Sequence, residues 1–343
     1  MNRPVASLSL DLDNRWAYLR AAGRDDWTKR PSYLPMAVDR IVDVLGELSL
    51  PLTVFLVGRD LTDEADCDAI RRFDSIQWEP ANHSLNHLPW MHTMPPDQIE
   101  EEIATTEQRI INLLGIRPYG FRGPGFSCPP EVLNVLQERG YLYDASSFPT
   151  SVAPIARWFF MLKTGLKGQQ KDKAKQLYGG FGSMLKPNRP HRLQNSAPEF
   201  WEIPVSVMPL TRLPIHMSYL CYLASFSVTA AKMYFSSVVR LATLTGTSIS
   251  LLLHPPDFFG HEDADDLSYL PGMSMARDDK IRFVRWALES LKGRFEVRRM
   301  IDQLHSLAPE TVSAITQADL KQHKSSEFHS PVPDRVVDAA TTP

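Results

Sequence analysis

Hydrophobic and polar positions follow a recurrent rhythm along the chain. A short apolar run is followed by a longer stretch with apolar residues three and four apart, and then by another short run. Val5 to Leu12 is strand-like and carries Asp11 and Asp13 at its end. Ile41, Val42, Leu45 and Leu48 predict a helix over about 36–48. Leu52 to Val57, closed by Gly58, has the β-branched and aromatic profile of a buried strand. A helix near 63–73 precedes a third strand over 76–81, which runs into Asn82-His83. Pro95-Pro96-Asp97 opens a long helix stopped by Gly115. Strands at 119–122 and 141–144 flank a helix from Pro129 to Arg139. Further strands are predicted at 201–205, 248–253 and 295–298, with a helix over 277–292. The apolar stretch Ser218 to Phe235 reads as one core helix, since Lys232 and several hydroxyl residues argue against a membrane span.

Regular β-then-α alternation predicts a parallel sheet with right-handed crossovers. With this many units, a closed or nearly closed barrel fits better than an open sheet. Two stretches break the rhythm. Residues 151–200 form an insertion after the fifth strand, without clear strand–helix alternation. From Ala308 the chain turns polar, so 308–343 is expected to be a disordered tail behind a barrel domain of 1–307.

Composition narrows the reading only a little. The chain is 43% hydrophobic and 22% charged, ordinary for a globular protein with a sizeable core. Its net charge of −3 argues against a general nucleic-acid binder. Cys67, Cys128 and Cys221 form no C-x-x-C pair, which disfavours a thiolate zinc site or a disulfide framework. The N-terminus lacks a long apolar signal region, so the expected location is cytoplasmic.

Residues of catalytic type fall at the C-terminal end of one predicted strand after another. These are Asp11 and Asp13, His83 and His87, Arg122, Asp144 and His254. In an α/β barrel such positions converge on one mouth. His83-Ser-Leu-Asn-His87 sets two imidazoles four apart, close enough to share a metal ion, although ten histidines make a chance pair common. Two His and one carboxylate, with an open position for water, is a standard catalytic zinc set, and it also suits cobalt, nickel or iron. Asp11 and Asp13 alternate on a strand and therefore share a face. Taken singly, Arg122-Gly-Pro-Gly125 also reads as a turn, Asp144 as a cap and His254 as a core histidine.

The ordered motifs Asp11-Leu-Asp13, His83-x-x-x-His87, Arg122-Gly-Pro-Gly125, Tyr143-Asp-Ala-Ser146 and Leu252-Leu-His-Pro255 resemble those of NodB-type polysaccharide deacetylases, carbohydrate esterase family 4. The likeness spans about residues 5–305. It implies a distorted (β/α) barrel of about seven units and hydrolytic removal of an N-acyl group from an amino sugar. By the same resemblance, Asp13, His83 and His87 ligate one divalent metal ion, and Asp11 is the general base. Arg122 holds Asp11, His254 is the general acid, Asp144 orients it, and a backbone N–H near Gly125 helps stabilise the oxyanion. The acids of the first motif are split by Leu12 and followed by Asn14, whereas the usual motif has two adjacent acids and a glycine. The split form resembles a subgroup that includes some peptidoglycan deacetylases and a lipid-linked aminoarabinose deformylase.

Within the insertion, Trp158 to Leu162 is an apolar block amid nine Lys and Arg residues from Arg157 to Arg192. Such a segment is a candidate for peripheral contact with an anionic membrane face and a carrier-lipid-linked sugar, or for a lid whose lysines face water. A non-catalytic carbohydrate-binding barrel and an amidase for a non-sugar amide are the alternative functions.

Overall fold

The first strand shows how the sequence builds the barrel. In β1 (Val5–Asp11) and the two residues beyond it, Ala6, Leu8, Leu10 and Leu12 point outward into the main hydrophobic core. The alternate set, Ser7, Ser9, Asp11 and Asp13, is buried on the opposite face. One strand thus carries an apolar outer face and a polar inner face. The computed structural model describes residues 3–152, 185–193, 199–310 and 312–313 of the chain.

The order of elements follows the predicted rhythm. After β1 come α1 (Arg15–Ala21), α2 (Leu34–Glu47), β2 (Leu52–Leu56), α3 (Glu64–Arg71), β3 (Trp78–Asn82) and α4 (Pro96–Leu114). Then come β4 (Gly120–Phe121), α5 (Pro130–Glu138), β5 (Tyr143–Asp144), β6 (His191–Arg192) and β7 (Trp201–Glu202). The last elements are α6 (Met217–Phe226), α7 (Val228–Thr245), β8 (Ile249–Leu253), α8 (Arg277–Lys292), β9 (Glu296–Arg298) and α9 (Met300–Leu307). Local chemistry explains many boundaries. Pro35 and Pro96 stand in the first turns of α2 and α4, where a missing N–H is harmless. Gly115 ends α4 in the left-handed region at φ 67, donating to Ile111 O.

The sheet runs β6-β7-β5-β4-β3-β2-β1-β8, parallel except for the antiparallel β6–β7 pair, with β9 beside the start of β1. It curls into a distorted barrel. Beyond β7, the Ser206 N–H donates to Ser250 O of β8 at 3.0 Å, and the Ser250 N–H donates to Ser206 Oγ at 2.8 Å. That link joins the two ends of the curl, making a ring of seven strands from β1 through β5, then β7 and β8. Helices cover its outside. The main core joins β1, β2 and β8 to α2, α6, α7 and α8. A second core packs Ile99 and Ile103 of α4 with Val132 and Leu136 of α5.

One expectation is corrected. The stretch 218–235 is two helices: Ser227 is extended at φ −159, and its hydroxyl caps α7 at the Ala230 N–H. A serine cap inside an apolar run stops one helix and starts the next. The insertion contains a strand, since β6 forms a hairpin-like pair with β7. Its apolar block at 158–162 and the lysines from Lys163 to Lys175 lie outside the described residues.

Contacts divide the chain into Met1–Gln303 and Leu304–Pro343, four residues before the expected boundary. In the second unit α9 continues to Leu307, and the expected tail beyond Ser313 lies outside the described residues. Among the described residues no helix is long and apolar enough to cross a membrane, and the three cysteines are free thiols.

Candidate metal centre and active site

The inner face of β1 delivers Asp11 and Asp13 to the C-terminal mouth, and β3 runs directly into His83. Asp13 Oδ1 lies 2.9 Å from His87 Nε2 and 3.4 Å from His83 Nε2. One ligand atom from each of the three residues falls within 4.8 Å of the others. All three predicted ligands therefore converge. His83 and Asp13 are buried, and His87 is half-buried at the rim.

The loop that carries the histidines is held from several sides. Ser84 and His87 adopt left-handed backbone, φ 62 and φ 50, which non-glycine residues take at a cost. Glu102 of α4 compensates by accepting from the Leu85 N–H, the Asn86 N–H and the Asn86 side chain at 2.7–2.9 Å. Asn82 accepts from the Ser84 N–H, and Arg20 donates to the carbonyls of Asn86 and His87. Glu102 was not singled out from the sequence. A lone glutamate inside an amphipathic helix carries no local sign of what it faces.

A metal ion fits this donor set. His83 Nδ1 lies 2.6 Å from the Arg122 main-chain oxygen. That oxygen can only accept, so the ring proton is on Nδ1 and the Nε2 lone pair faces Asp13. Two buried acceptors 3.4 Å apart repel unless a proton or a cation lies between them. Asp13 Oδ1 moreover has no hydrogen-bond donor although it is buried, an orphan of the kind that ion binding explains. Burial raises the Asp13 carboxyl, but the imidazoles of His87 and His83 outweigh it and hold the group well below the usual range. Burial depresses His83, yet Asp11 and Asp13 bring it net upward.

Beside this cluster, Arg122 Nη1 donates to Asp11 Oδ1 at 2.6 Å and to Ser9 Oγ at 3.1 Å. Its Nε donates to Ala145 O, and its guanidinium lies 4.2 Å above the Phe55 ring. The pairing of Arg122 with Asp11 expected from the motifs is present, and both partners are buried. Gly123 follows because a Cβ there would stand 1.8 Å from Ser127 O. Gly125 lies in the turn beyond it at φ 60, half-exposed.

On the far side of Asp11, His254 Nε2 lies 3.9 Å from Asp11 Oδ2. The β1–β8 register sets this pairing. Leu10 lies opposite Leu253, so the next residues, Asp11 and His254, are neighbours on adjacent strands.

Among the described residues, Asp144 has its hydrogen bonds elsewhere than on His254. Its Oδ1 accepts from Ser146 Oγ at 2.6 Å, and it faces the carboxyl of Glu202. Burial and Asp144 raise Glu202 well above the usual range. The partner of His254 is instead Ser218 of α6, whose Oγ lies 3.1 Å from His254 Nδ1. Ser218 also hydrogen-bonds Asp257, which accepts the His254 N–H at 2.8 Å and whose carboxyl is raised by burial. His216 stands next to the pair, its ring centroid 6.4 Å from that of His254. Burial and His254 pull His216 down to about 3, so it stays neutral. Ser218, Asp257 and His216 were all missed. The first and last belong to a helical excursion between β7 and β8 whose docking on His254 has no local signal.

Part of the chain resembles a known family. Residues 25–143 match the polysaccharide deacetylase family model. The matched stretch contains His83, His87, Arg122 and Gly125, whereas Asp11, Asp13, Asp144 and His254 lie outside it. A chitooligosaccharide deacetylase from Rhizobium leguminosarum bv. phaseoli is 33% identical over 95 residues, 25% of this chain and 41% of that protein. The chain thus spans about two fifths of that relative's length. Among solved structures, a probable polysaccharide deacetylase from Pseudomonas aeruginosa PAO1 superposes with a TM-score of 0.56 at 14% identity, covering 90% of this chain and 92% of the other. A PuuE allantoinase superposes with a TM-score of 0.54 at 15% identity, covering 90% and 91%. At these identities the two structures establish the barrel fold and nothing finer.

Proposed function

We propose that this chain, whose residues 25–143 match the polysaccharide deacetylase family model, is a metal-dependent hydrolase. It removes an N-acyl group, acetyl in the simplest case, from an amino sugar in a polysaccharide or a lipid-linked saccharide. The observation that carries the reading is the convergence of Asp13, His83 and His87 within 4.8 Å, flanked by the Asp11–Arg122 pair and His254. A sugar-binding barrel without catalysis has no use for that combination.

Asp13, His83 and His87 would hold one divalent ion, zinc on ligand type, with the Arg122 carbonyl fixing the His83 tautomer. Bound there, the ion would acidify water and polarise the acyl oxygen. The rest falls to the chain's own groups. Asp11 Oδ2 takes the proton of the attacking water, while Arg122 keeps the carboxylate aimed. The Gly125 N–H, in the turn after Arg122, would stabilise the acyl oxygen as charge develops there. As the C–N bond breaks, His254 Nε2 gives its proton to the departing amine. Ser218 and Asp257, in the role the motifs assign to Asp144, hold the ring from the Nδ1 side.

The test is release of acetate from chitooligosaccharides and from lipid-linked N-acetylated sugars by the zinc-loaded protein. Acetate matched by free amine supports the reading. No release from either class, with a simple cyclic or aliphatic amide cleaved instead, overturns it in favour of an amidase.

A smaller prediction concerns His254. Ser218→Ala is expected to lower kcat about tenfold with KM little changed, since it affects only the proton donor's orientation. An unchanged kcat beside an Asp144→Asn variant that loses activity would return the orienting role to Asp144.

A further inference from the structure

Next to His87 lies a group of side chains that the catalytic reading leaves unused. Trp16 and Trp27 pack with ring centroids 5.9 Å apart. Two arginines lie on this indole pair. The Arg20 guanidinium is 4.9 Å from the Trp16 ring and 5.6 Å from that of Trp27, and the Arg59 guanidinium is 5.2 Å and 4.9 Å from the same rings. The group adjoins the metal centre directly. Trp16 meets His87 edge-on at 6.5 Å, and Arg20 donates to the His87 carbonyl at 2.8 Å. Arg59 follows the C-terminal end of β2, at the mouth of the barrel, and is exposed.

The electrostatics are unbalanced. Among the described residues neither Arg20 nor Arg59 forms an ion pair with a carboxylate. Glu102, the acid that Arg20 senses, has both oxygens occupied by the histidine loop. Asp60 turns its Oδ1 to Trp16 and Asn14, and burial pushes its carboxyl up to about 7. Two like charges held together on one aromatic base gain from the rings but repel each other. A bound oxyanion relieves the repulsion, and the planar fork of a guanidinium matches phosphate and carboxylate oxygens.

We infer that Arg59 and Arg20, braced on Trp16 and Trp27, form an oxyanion subsite beside the metal centre that receives a phosphate or carboxylate borne by the acylated sugar. The inference rests on the deacetylase reading and narrows its substrate to anionic sugars. Arg20 ties the subsite to the histidine loop, and Arg59 presents the free guanidinium edge to the ligand.

The experiment compares the zinc-loaded full chain with its Arg59→Gln variant in calorimetric titrations of three probes. These are N-acetylglucosamine, N-acetylglucosamine 1-phosphate and N-acetylmuramic acid. The wild type is expected to bind one or both anionic sugars about tenfold more tightly than the neutral one, the size of a charge-assisted contact. The preference should shrink as salt is added and disappear in Arg59→Gln. Whichever anionic probe is preferred identifies the oxyanion. Equal binding of all three by the wild type overturns the inference. So does a variant that weakens all three alike, because Arg59 would then only support the loop. Acetate release from neutral chitooligosaccharide is read separately. If it is absent while the charge preference persists, the catalytic reading fails and the subsite stands.

Discussion

Replacing His83 with alanine is expected to strip the protein of the proposed metal ion and, with it, of the proposed hydrolytic activity. Elemental analysis should find about one metal per wild-type chain after loading with zinc and close to none in the variant. The expectation follows from how this imidazole is held. It is buried, its tautomer is fixed by the Arg122 carbonyl at 2.6 Å, and its Nε2 faces an orphaned Asp13 oxygen. Losing one of three ligands leaves too few to retain an ion against water. Stabilisation of developing charge by the ion is worth several kcal/mol, so kcat/KM should fall by about a thousandfold or more. Asp13→Ala should behave alike, whereas Asp11→Asn should keep the metal and lose turnover. A wild type that binds neither zinc nor cobalt would sink the hydrolytic mechanism and bring the carbohydrate-binding alternative forward.

The second large effect is on stability. Arg122→Met should destabilise the fold by about 3–5 kcal/mol, because it leaves the Asp11 carboxylate buried without its counter-charge. Methionine keeps much of the volume over Phe55, so packing loss is a lesser part. The diagnostic step is the double variant. With Asp11→Asn added, no uncompensated charge remains, and part of the lost stability should return. Urea unfolding of the four proteins in chelator checks this. Simple additivity of the two single effects would mean that the pair is not coupled and that Arg122 serves the core by shape alone.

Much of this was legible in the sequence because it is encoded locally. The alternation Ala6-Ser7-Leu8-Ser9-Leu10-Asp11 states both the strand and the sidedness of its acids. Pro96 and Gly115 mark both ends of one long helix. The candidate ligand set could be assembled because its members lie at or just beyond strand ends, and a barrel brings strand ends together. What could not be read depends on long-range docking. Ser218 meets His254 across 36 residues of chain, and nothing around either residue announces the other. Asp144 sat at the right strand end for the role assigned to it, yet Ser146 and Glu202 claim its carboxylate. The break at Ser227 was hidden by the apolar run around it, since a serine is tolerated in a helix as well as at its start.

The seam of the barrel has a mechanical consequence. Between β1 and β8 the wall is a five-residue ladder, whereas between β7 and β8 it is the Ser206–Ser250 link. Each hydrogen bond there contributes about 0.5–1.5 kcal/mol, so that line resists opening less than the β1–β8 ladder does. Widening there moves Asp144 and Glu202 away from β8 but leaves Asp11 and His254 on the stiff side, their spacing set by strands that stay joined. On the proposed reading, the barrel can therefore change its girth to admit a bulkier sugar without altering the gap between Asp11 and His254.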